Sequence, residues 1–400
     1  MPTPETFRRS ERAATLSLSE IVKISEAAGA LKRAGKDVLT FGTGEPDFPT
    51  PSHVIDAALD AARHGETTYP PTQGTPALRA AIAGQAGFDV DPANIIVSTG
   101  AKQVLSNAFL ATLDPGDEVI VPAPFWASYS DMLDFCEATR VDVPCGSDTQ
   151  FRLTPEQLED AITGKTRWLM LNSPGNPSGA MYERHHLEAL AEVLRRHPHV
   201  WIIADEIYQH ISYAPFVSFR SAAPDLADRT LIVNGVSKAY AMTGWRLGWG
   251  IGPEPLIRAM VAVQGQSTSG ASSVSQAAAL AALTGPQDLL QTRCDDFRAR
   301  RDVVVASLND MPGLECETPS GAFYVFPSCT GLMGKRTPGG ATLESDADFC
   351  QYLLEDALVA LVPGRAFGLP GHFRMSYAYG TADLKEGLTR MQRAILELTD

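Results

Sequence analysis

The sequence predicts an α/β protein built on a doubly wound, largely parallel sheet, with a smaller α+β domain after it. Three observations carry that prediction. From about Pro51 to Gly285, short apolar runs alternate with stretches of helical periodicity, the signature of βαβ units. Runs such as VWIIAD and RWLMLN are apolar at successive positions, as strands are when helices cover both faces of a sheet. Beyond Gly285 the alternation stops. A long helical stretch, Gln287 to Asn309, leads to strand-like AFYVF and FRMSYA and to a closing helix from Ala382 onward.

Taken in order, the first 40 residues are mostly polar and helix-prone, with a helix expected from Ser25 to Gly35, where a glycine closes it. FGTGEPDFPTP is too dense in Gly and Pro for a regular element and reads as a functional loop. Strands are expected at Asn94–Val97, Glu118–Val121, Trp168–Asn172, Val200–Ala204, Leu231–Val233 and Leu247–Ile251. The chain then divides into an N-terminal segment, 1–50, that joins the small domain, a large domain, 51–285, and a C-terminal small domain, 286–400. In doubly wound folds the working residues gather at the carboxyl ends of the strands. Asp205, Asn176, Ser237 and Lys238 all fall just past such an end.

Composition sets the bounds. With 400 residues, 44% of them hydrophobic, the chain buries a substantial core. A net charge of −14 argues against nucleic acid as the main partner, since phosphate backbones require a surplus of Lys and Arg. Six scattered cysteines without a CxxC pair read as reduced thiols of a cytosolic protein. No stretch is long and apolar enough for a membrane span, and the first 25 residues lack a signal core, so a soluble, cytoplasmic protein is expected. The eight histidines suggest no metal site, and His197 and His199, either side of Pro198, read as solvated.

The chemistry concentrates in a few motifs. NGVSKAYAMTGWRLGWG places Lys238 in a run of small residues, flanked by Ser237 and Arg246. Most lysines are simply solvated. A hydroxyl and a guanidinium suited to phosphate, beside an amine, instead suggest a carbonyl-bearing phosphate cofactor such as pyridoxal phosphate. VWIIADEIY ends an apolar strand in Asp205, with Tyr208 close behind. A carboxylate there either caps a helix or meets a cation, which a pyridinium nitrogen supplies. SPGNPSG presents Asn176 from a loop that is otherwise Gly, Pro and Ser. In STGAKQVL a helix begins near Gly100, Ala101 and Lys102, and its first amides form an anion site. The spacing is not that of a Walker loop, and no GxGxxG comes after the first strand. Trp126 and Tyr69 are aromatics in loop contexts, equally explained as core filler or as ligand contacts. Arg374 sits within FRMSYA, where an inward arginine needs a partner such as a substrate carboxylate.

These motifs, with GEPDFPTP, TTYPPTQGTPALR, LDPGDEVIVPAPFWASY, GQSTSGA and PSGAFYVFPS, resemble in order and spacing the class I aminotransferases of the fold-type I pyridoxal-phosphate superfamily. The likeness runs from about Ser25 to the C-terminus and is greatest to bacterial gamma-type aspartate aminotransferases, some of which accept prephenate. It implies a large, mostly parallel seven-stranded sheet domain with a smaller α+β domain, pyridoxal 5'-phosphate as cofactor, and a homodimer with shared active sites. It also implies a ping-pong aldimine/ketimine cycle between an L-amino acid and a 2-oxo acid, aspartate and 2-oxoglutarate in the first instance. An aromatic, prephenate or broad-range aminotransferase is the alternative, and a carbon–sulfur lyase a more distant one.

By the same resemblance, Lys238 is similar to the Schiff-base lysine, Asp205 to the pyridinium partner, and Tyr208 and Asn176 to the ligands of the phenolic oxygen. Ser237, Arg246, Gly100, Ala101 and Lys102 match the phosphate cup, and Tyr69 the residue that reaches the neighbouring subunit's phosphate. Trp126 resembles the ring-stacking residue. Arg374 resembles the α-carboxylate clamp, aided by Asn176 and the Gly44 backbone, and Lys102 the contact to a distal carboxylate. The chain departs from the pattern in LSLSEIVKIS, where Ile21 stands at a threonine position, and at Ala101, often glycine in the family.

Overall fold

A computed structural model describes residues 8–14 and 20–400 of the chain. Its strands are β1 (Leu39–Thr40), β2 (Ile95–Ser98), β3 (Glu118–Ala123), β4 (Thr139–Pro144), β5 (Thr166–Asn172), β6 (Trp201–Asp205), β7 (Thr230–Gly235), β8 (Gly248–Ile251), β9 (Tyr324–Val325), β10 (Val359–Ala360), β11 (Val362–Pro363) and β12 (Phe373–Ser376).

A seven-stranded sheet in the order β2-β8-β7-β6-β5-β3-β4 forms the centre of the large unit. Only β8 runs against its neighbours, pairing antiparallel with both β2 and β7, while the other pairs are parallel. Side chains of a strand alternate between its two faces, and here both faces are dry. Ile95, Val97, Leu169, Leu171, Ile202 and Ile232 enter one core with Leu78, Ile82 and Ala279. Their sequence neighbours Ile96, Trp168, Met170, Ile203, Leu231 and Val233 enter another with Val104, Leu105, Ala108 and Phe109. Feeding two cores from successive residues is what made the runs continuously apolar.

Six of the seven strands fall where the periodicity places them. The seventh, β4, is an edge strand whose residues are mostly exposed or half-buried, so no apolar run marks it. The N-terminal helix spans Glu20–Arg33 rather than beginning at Ser25, because Ile21 and Ile24 already pack against Phe151, Phe326, Val362 and Phe367.

The smaller unit contains the helix Asp288–Asn309, the three-stranded sheet β11-β12-β9 and the closing helix Thr381–Leu396. Chain from the N-terminal segment completes it. β1 pairs in parallel with β10, and just beyond it the Phe41 amide bonds Ala360 O at 2.9 Å while Phe41 O accepts from the Ser376 amide at 2.8 Å. The Phe41 ring lies against the α-carbon of Gly387 in the closing helix, leaving no room for a Cβ there. Gly387→Ala should therefore destabilise the protein, overpacking costing about 1–3 kcal/mol against a helix-propensity gain of at most about 1 kcal/mol. Urea denaturation of the two proteins checks it; equal or higher stability in the variant would show that Phe41 moves aside freely.

Candidate active site

The carboxyl ends of β5, β6 and β7 open on one edge of the sheet, and β2 ends on the same edge because it lies antiparallel to β8, itself antiparallel to β7. A cleft of about 400 Å³ lies there, between this edge and residues of the smaller unit, Tyr324 and Arg374 among them.

Lys238 comes three residues after β7 and is half-buried in the cleft floor. Its ammonium donates to Gly44 O at 2.6 Å and lies 5.8 Å from the centre of the Tyr208 ring. Burial, reinforced by the nearby positive charge of Arg374, pushes its pKa down to about 8, against the opposing pull of Glu45 and Asp205. The turn behind it is tight, with the left-handed Ala241 at φ 54° and the Met242 amide bonded to Ser237 O at 3.1 Å.

Asp205, the last residue of β6, is 4% exposed. One carboxylate oxygen accepts from the Tyr129 hydroxyl at 2.6 Å, and the other from the Ile207 amide at 3.2 Å. Burial raises its pKa to about 6 even though both hydrogen bonds, and the charge of Lys238, favour the ionised form. The next residue, Glu206, faces away. It is held by Ser218 Oγ and the Phe219 amide, and burial pushes its carboxyl to about 8.

An anion cup stands at one end of the cleft. Gly100, at φ 85°, caps the twelve-residue helix Ala101–Thr112, so the first free amides of that helix and the positive end of its dipole face the cleft. The Arg246 guanidinium lies against Gly100, where a Cβ would fall 2.7 Å from its Nη2. Arg246 itself is left-handed, at φ 52°, a strained conformation for a side-chain-bearing residue. Ser237 completes the cup.

At the other side, Arg374 on β12 is 2% exposed. Nη1 donates to Asn176 Oδ1 at 2.8 Å and Nη2 to Gly42 O, while the guanidinium lies between the rings of Tyr324 and Phe367, 4.7 and 4.8 Å from their centres. Its Nε is buried without a partner among the described residues. Asn176 is fixed in turn by its own amide, bonded to Asn172 Oδ1 at 2.8 Å. Lys102 Nζ sits 5.0 Å above the Trp126 ring, and burial lowers its pKa. Ile21 lines the cleft as well.

A half-buried amine, a buried carboxylate with no ion-pair partner among the described residues, a helix N-terminus with a guanidinium beside it and a second, buried guanidinium thus share one cavity. The profile described as Aminotransferase class I and II matches residues 36–391 of the chain. The chain belongs to the class I and II aminotransferases. Among its relatives, the "Aspartate aminotransferase" of Rhizobium meliloti (strain 1021) is 53% identical over 97% of this chain and 96% of its own length. The "Aspartate/prephenate aminotransferase" of Cereibacter sphaeroides is 48% identical over 96% of this chain and 97% of its own. The crystal structure of the Rhizobium meliloti aspartate aminotransferase superposes with a TM-score of 0.96, at 52% identity, covering 98% of this chain and all 100% of that one. The Thermus thermophilus aspartate aminotransferase with maleate does so with a TM-score of 0.90, at 39% identity, covering 97% and 100%.

In this aminotransferase the cleft gathers Lys238, Asp205, Tyr208, Asn176, Ser237, Arg246, Ala101, Lys102, Trp126, Gly44 and Arg374, with Gly100 at its rim. Tyr69 stands outside it and is 94% exposed. Two residues escaped the sequence reading. Tyr129 holds Asp205, and its only signal was its place one helical turn after Trp126. Tyr324, in the middle of AFYVF, bonds Tyr208 hydroxyl to hydroxyl at 2.9 Å, and strand patterning marks it only as core. His199 is exposed and bonds Thr163 O at 3.0 Å, and His197, partly exposed, meets Glu159 at 2.9 Å. Glu183, His185 and His186 bring ligand atoms within 4.8 Å of one another, a grouping the histidine spacing did not suggest. It lies at a helix N-terminus, with His186 engaged in the capping box, a place whose dipole disfavours a cation. The LSLS part of the N-terminal motif lies outside the described residues, which resume at Glu20.

In the cofactor-free aminotransferase, acylation of Lys238 should have its midpoint near pH 8, with the reactive amine above it and the inert ammonium below. Mass-spectrometric mapping over a pH series reads this directly, and a midpoint above pH 10 would contradict the burial argument. Tyr129→Phe removes a donor that favours the charged carboxylate, so the Asp205 pKa should climb by about one unit. Carbon-13 NMR of the carboxyl carbon reports it, and a fall or no change would show that the hydrogen bond does not act on the charge.

Proposed function

We propose that this chain is a pyridoxal-5'-phosphate-dependent aminotransferase that moves the amino group of aspartate to 2-oxoglutarate, with Lys238 as the lysine that binds the cofactor. The observation that carries the reading is Asp205, a buried carboxylate that among the described residues accepts only from neutral donors, and that faces the same cleft as the half-buried amine of Lys238. A carboxylate so placed requires a cation, and a protonated pyridine nitrogen fits. The cup of Ser237, Arg246, Gly100 and the amides of Ala101 and Lys102 fits a phosphate. When bound, the cofactor supplies a protonated ring that takes up the electron pair left when the substrate Cα loses its proton.

The chain's own residues do the rest. Asp205 keeps the ring nitrogen protonated. Lys238 Nζ, with a pKa brought near neutrality by burial, takes the Cα proton and returns it. Tyr208 and the Asn176 side-chain amide would donate to the ring oxygen, and Trp126 would stack on the ring. Arg374 grips the α-carboxylate, with its geometry preset by Asn176 and Gly42 and with the Gly44 backbone beside it. Tyr69, exposed on a proline-flanked loop, reaches the phosphate of a second copy, so the working form is a homodimer with shared active sites. We assign residues 51–285 to the cofactor-binding domain, 1–50 with 286–400 to the small domain, and the protein to the cytoplasm; among the described residues no helix is long and apolar enough to cross a membrane.

Aspartate is favoured by Lys102, a cation over Trp126 at the cleft wall, and by the names of the relatives. A second reading, an aromatic or prephenate substrate, is favoured by Ile21, an apolar side chain in the same cleft.

Lys238→Ala should bind pyridoxal phosphate without the visible absorption of a lysine-bound cofactor and should lose transamination; a retained band would move the role to another lysine. Lys102→Ala should lower kcat/KM for aspartate by roughly tenfold to a hundredfold, the worth of a hydrogen bond to a charge, and change that for phenylalanine by less than about threefold. Equal losses on both would refute the distal-carboxylate contact and favour the second reading.

A further inference from the structure

We propose that Tyr324 is a positioning residue that sets the acidity of the lysine-bound cofactor by acting through Tyr208; the inference rests on the cofactor reading above. The two phenol oxygens are 2.9 Å apart and both rings are buried. Among the described residues, neither hydroxyl has a hydrogen-bond partner other than its neighbour. Two hydroxyls carry two hydrogens, and one of them bridges the pair. The other belongs to whichever oxygen accepts, and it is directed into the cleft, which both residues line.

The surroundings decide which oxygen that is. The Arg374 guanidinium lies 4.7 Å from the centre of the Tyr324 ring, nearer than the 5.8 Å that separates Lys238 Nζ from that of Tyr208, and the nearer cation over the face of a phenol draws more electron density from its oxygen and makes it the better donor. Tyr324 therefore donates to Tyr208, and the hydrogen of Tyr208 is left for the ring oxygen of the cofactor. Chains of hydrogen bonds polarise one another, so Tyr208 donates more strongly than it would alone.

Gly44 shows that the site is cut to admit this hydroxyl. A Cβ at Gly44 would collide with the Tyr324 oxygen and come within 3.9 Å of Lys238 Nζ. Its backbone is not in the left-handed region, so close approach, not conformation, is what requires glycine there. The same residue's carbonyl holds Lys238, which brings the phenol pair and the amine to one spot. A stronger donor on the ring oxygen withdraws the negative charge that stabilises a proton on the lysine-derived nitrogen. Tyr324 thus lowers the pH at which that proton leaves.

The test is a spectrophotometric pH titration of the visible band of the holoenzyme in wild type, Tyr324→Phe, Tyr208→Phe and the double variant. Phenylalanine keeps the ring beneath Arg374, and matched thermal melts verify the fold. Tyr324→Phe should raise the midpoint by about half a pH unit, roughly a threefold change in proton affinity. Tyr208→Phe should raise it by about one unit or more, and the double variant should match Tyr208→Phe, because Tyr324 acts only through that oxygen. An unchanged midpoint in Tyr324→Phe, or additive shifts in the double variant, overturns this inference while the cofactor reading stands. A wild-type protein that forms no visible band with pyridoxal phosphate overturns both.

Discussion

Asp205 and Arg374 are withdrawn from water at one edge of the sheet, with Lys238 half-buried beside them, and among the described residues none of the three forms an ion pair with another protein group. Removing a charge from water is costly unless it is compensated. Here the compensation is neutral: Gly44 O for Lys238, Tyr129 and an amide for Asp205, Asn176, Gly42 O and two aromatic faces for Arg374. Neutral partners fix position without cancelling charge. These three charges are therefore left uncancelled by any ion pair among the described residues, and a ligand of complementary charges gains what the fold forgoes. The pKa shifts are the visible part of that arrangement, since burial moves both Lys238 and Asp205 toward neutrality.

The backbone carries some of the same cost. Ala241 and Arg246 are both left-handed within a few residues of Lys238, and only a tightly packed surround maintains such conformations. That surround is present: Gly248 has no space for a side chain beside Ala101, so the loop after β7 and the first turn of the helix after β2 are pressed together. The SPGNPSG loop is gripped likewise, because a Cβ on Gly179 would meet Pro319 at 2.5 Å. Lysine, cup and asparagine are in this way set by backbone contacts from different parts of the chain.

The sheet was legible because periodicity reports the surroundings of each residue, and strands with helices on both faces have an unmistakable pattern. The edge strand Thr139–Pro144 was not, because half-exposed residues obey no such rule. Lys238, Asp205 and Asn176 were legible because they are polar groups at the ends of apolar strands, and Arg374 because it is a cation inside one. Tyr129 and Tyr324 were hidden for the opposite reason. A tyrosine in a helix or strand reads as core, and what distinguishes these two is a hydroxyl aimed at a partner 76 or 116 residues away. The surface contact of His197 was hidden too, because its partner, Glu159, is 38 residues distant. Local patterning marks where chemistry is placed on a scaffold, while the contacts that tune it are non-local.

The segment around β1 carries this to its limit. Gly42 accepts from Arg374 across 332 positions, and Gly44 accepts from Lys238 across 194. Both carbonyls come from chain that leaves the ribosome well before the arginine does. A nascent polypeptide has its lysine and its large sheet well before it has a finished cleft. Its N-terminal strand has nothing to pair with until β10 is made. A chain cut short before β12 would keep Lys238 at the sheet edge but lack the Arg374 guanidinium that faces it across the cleft.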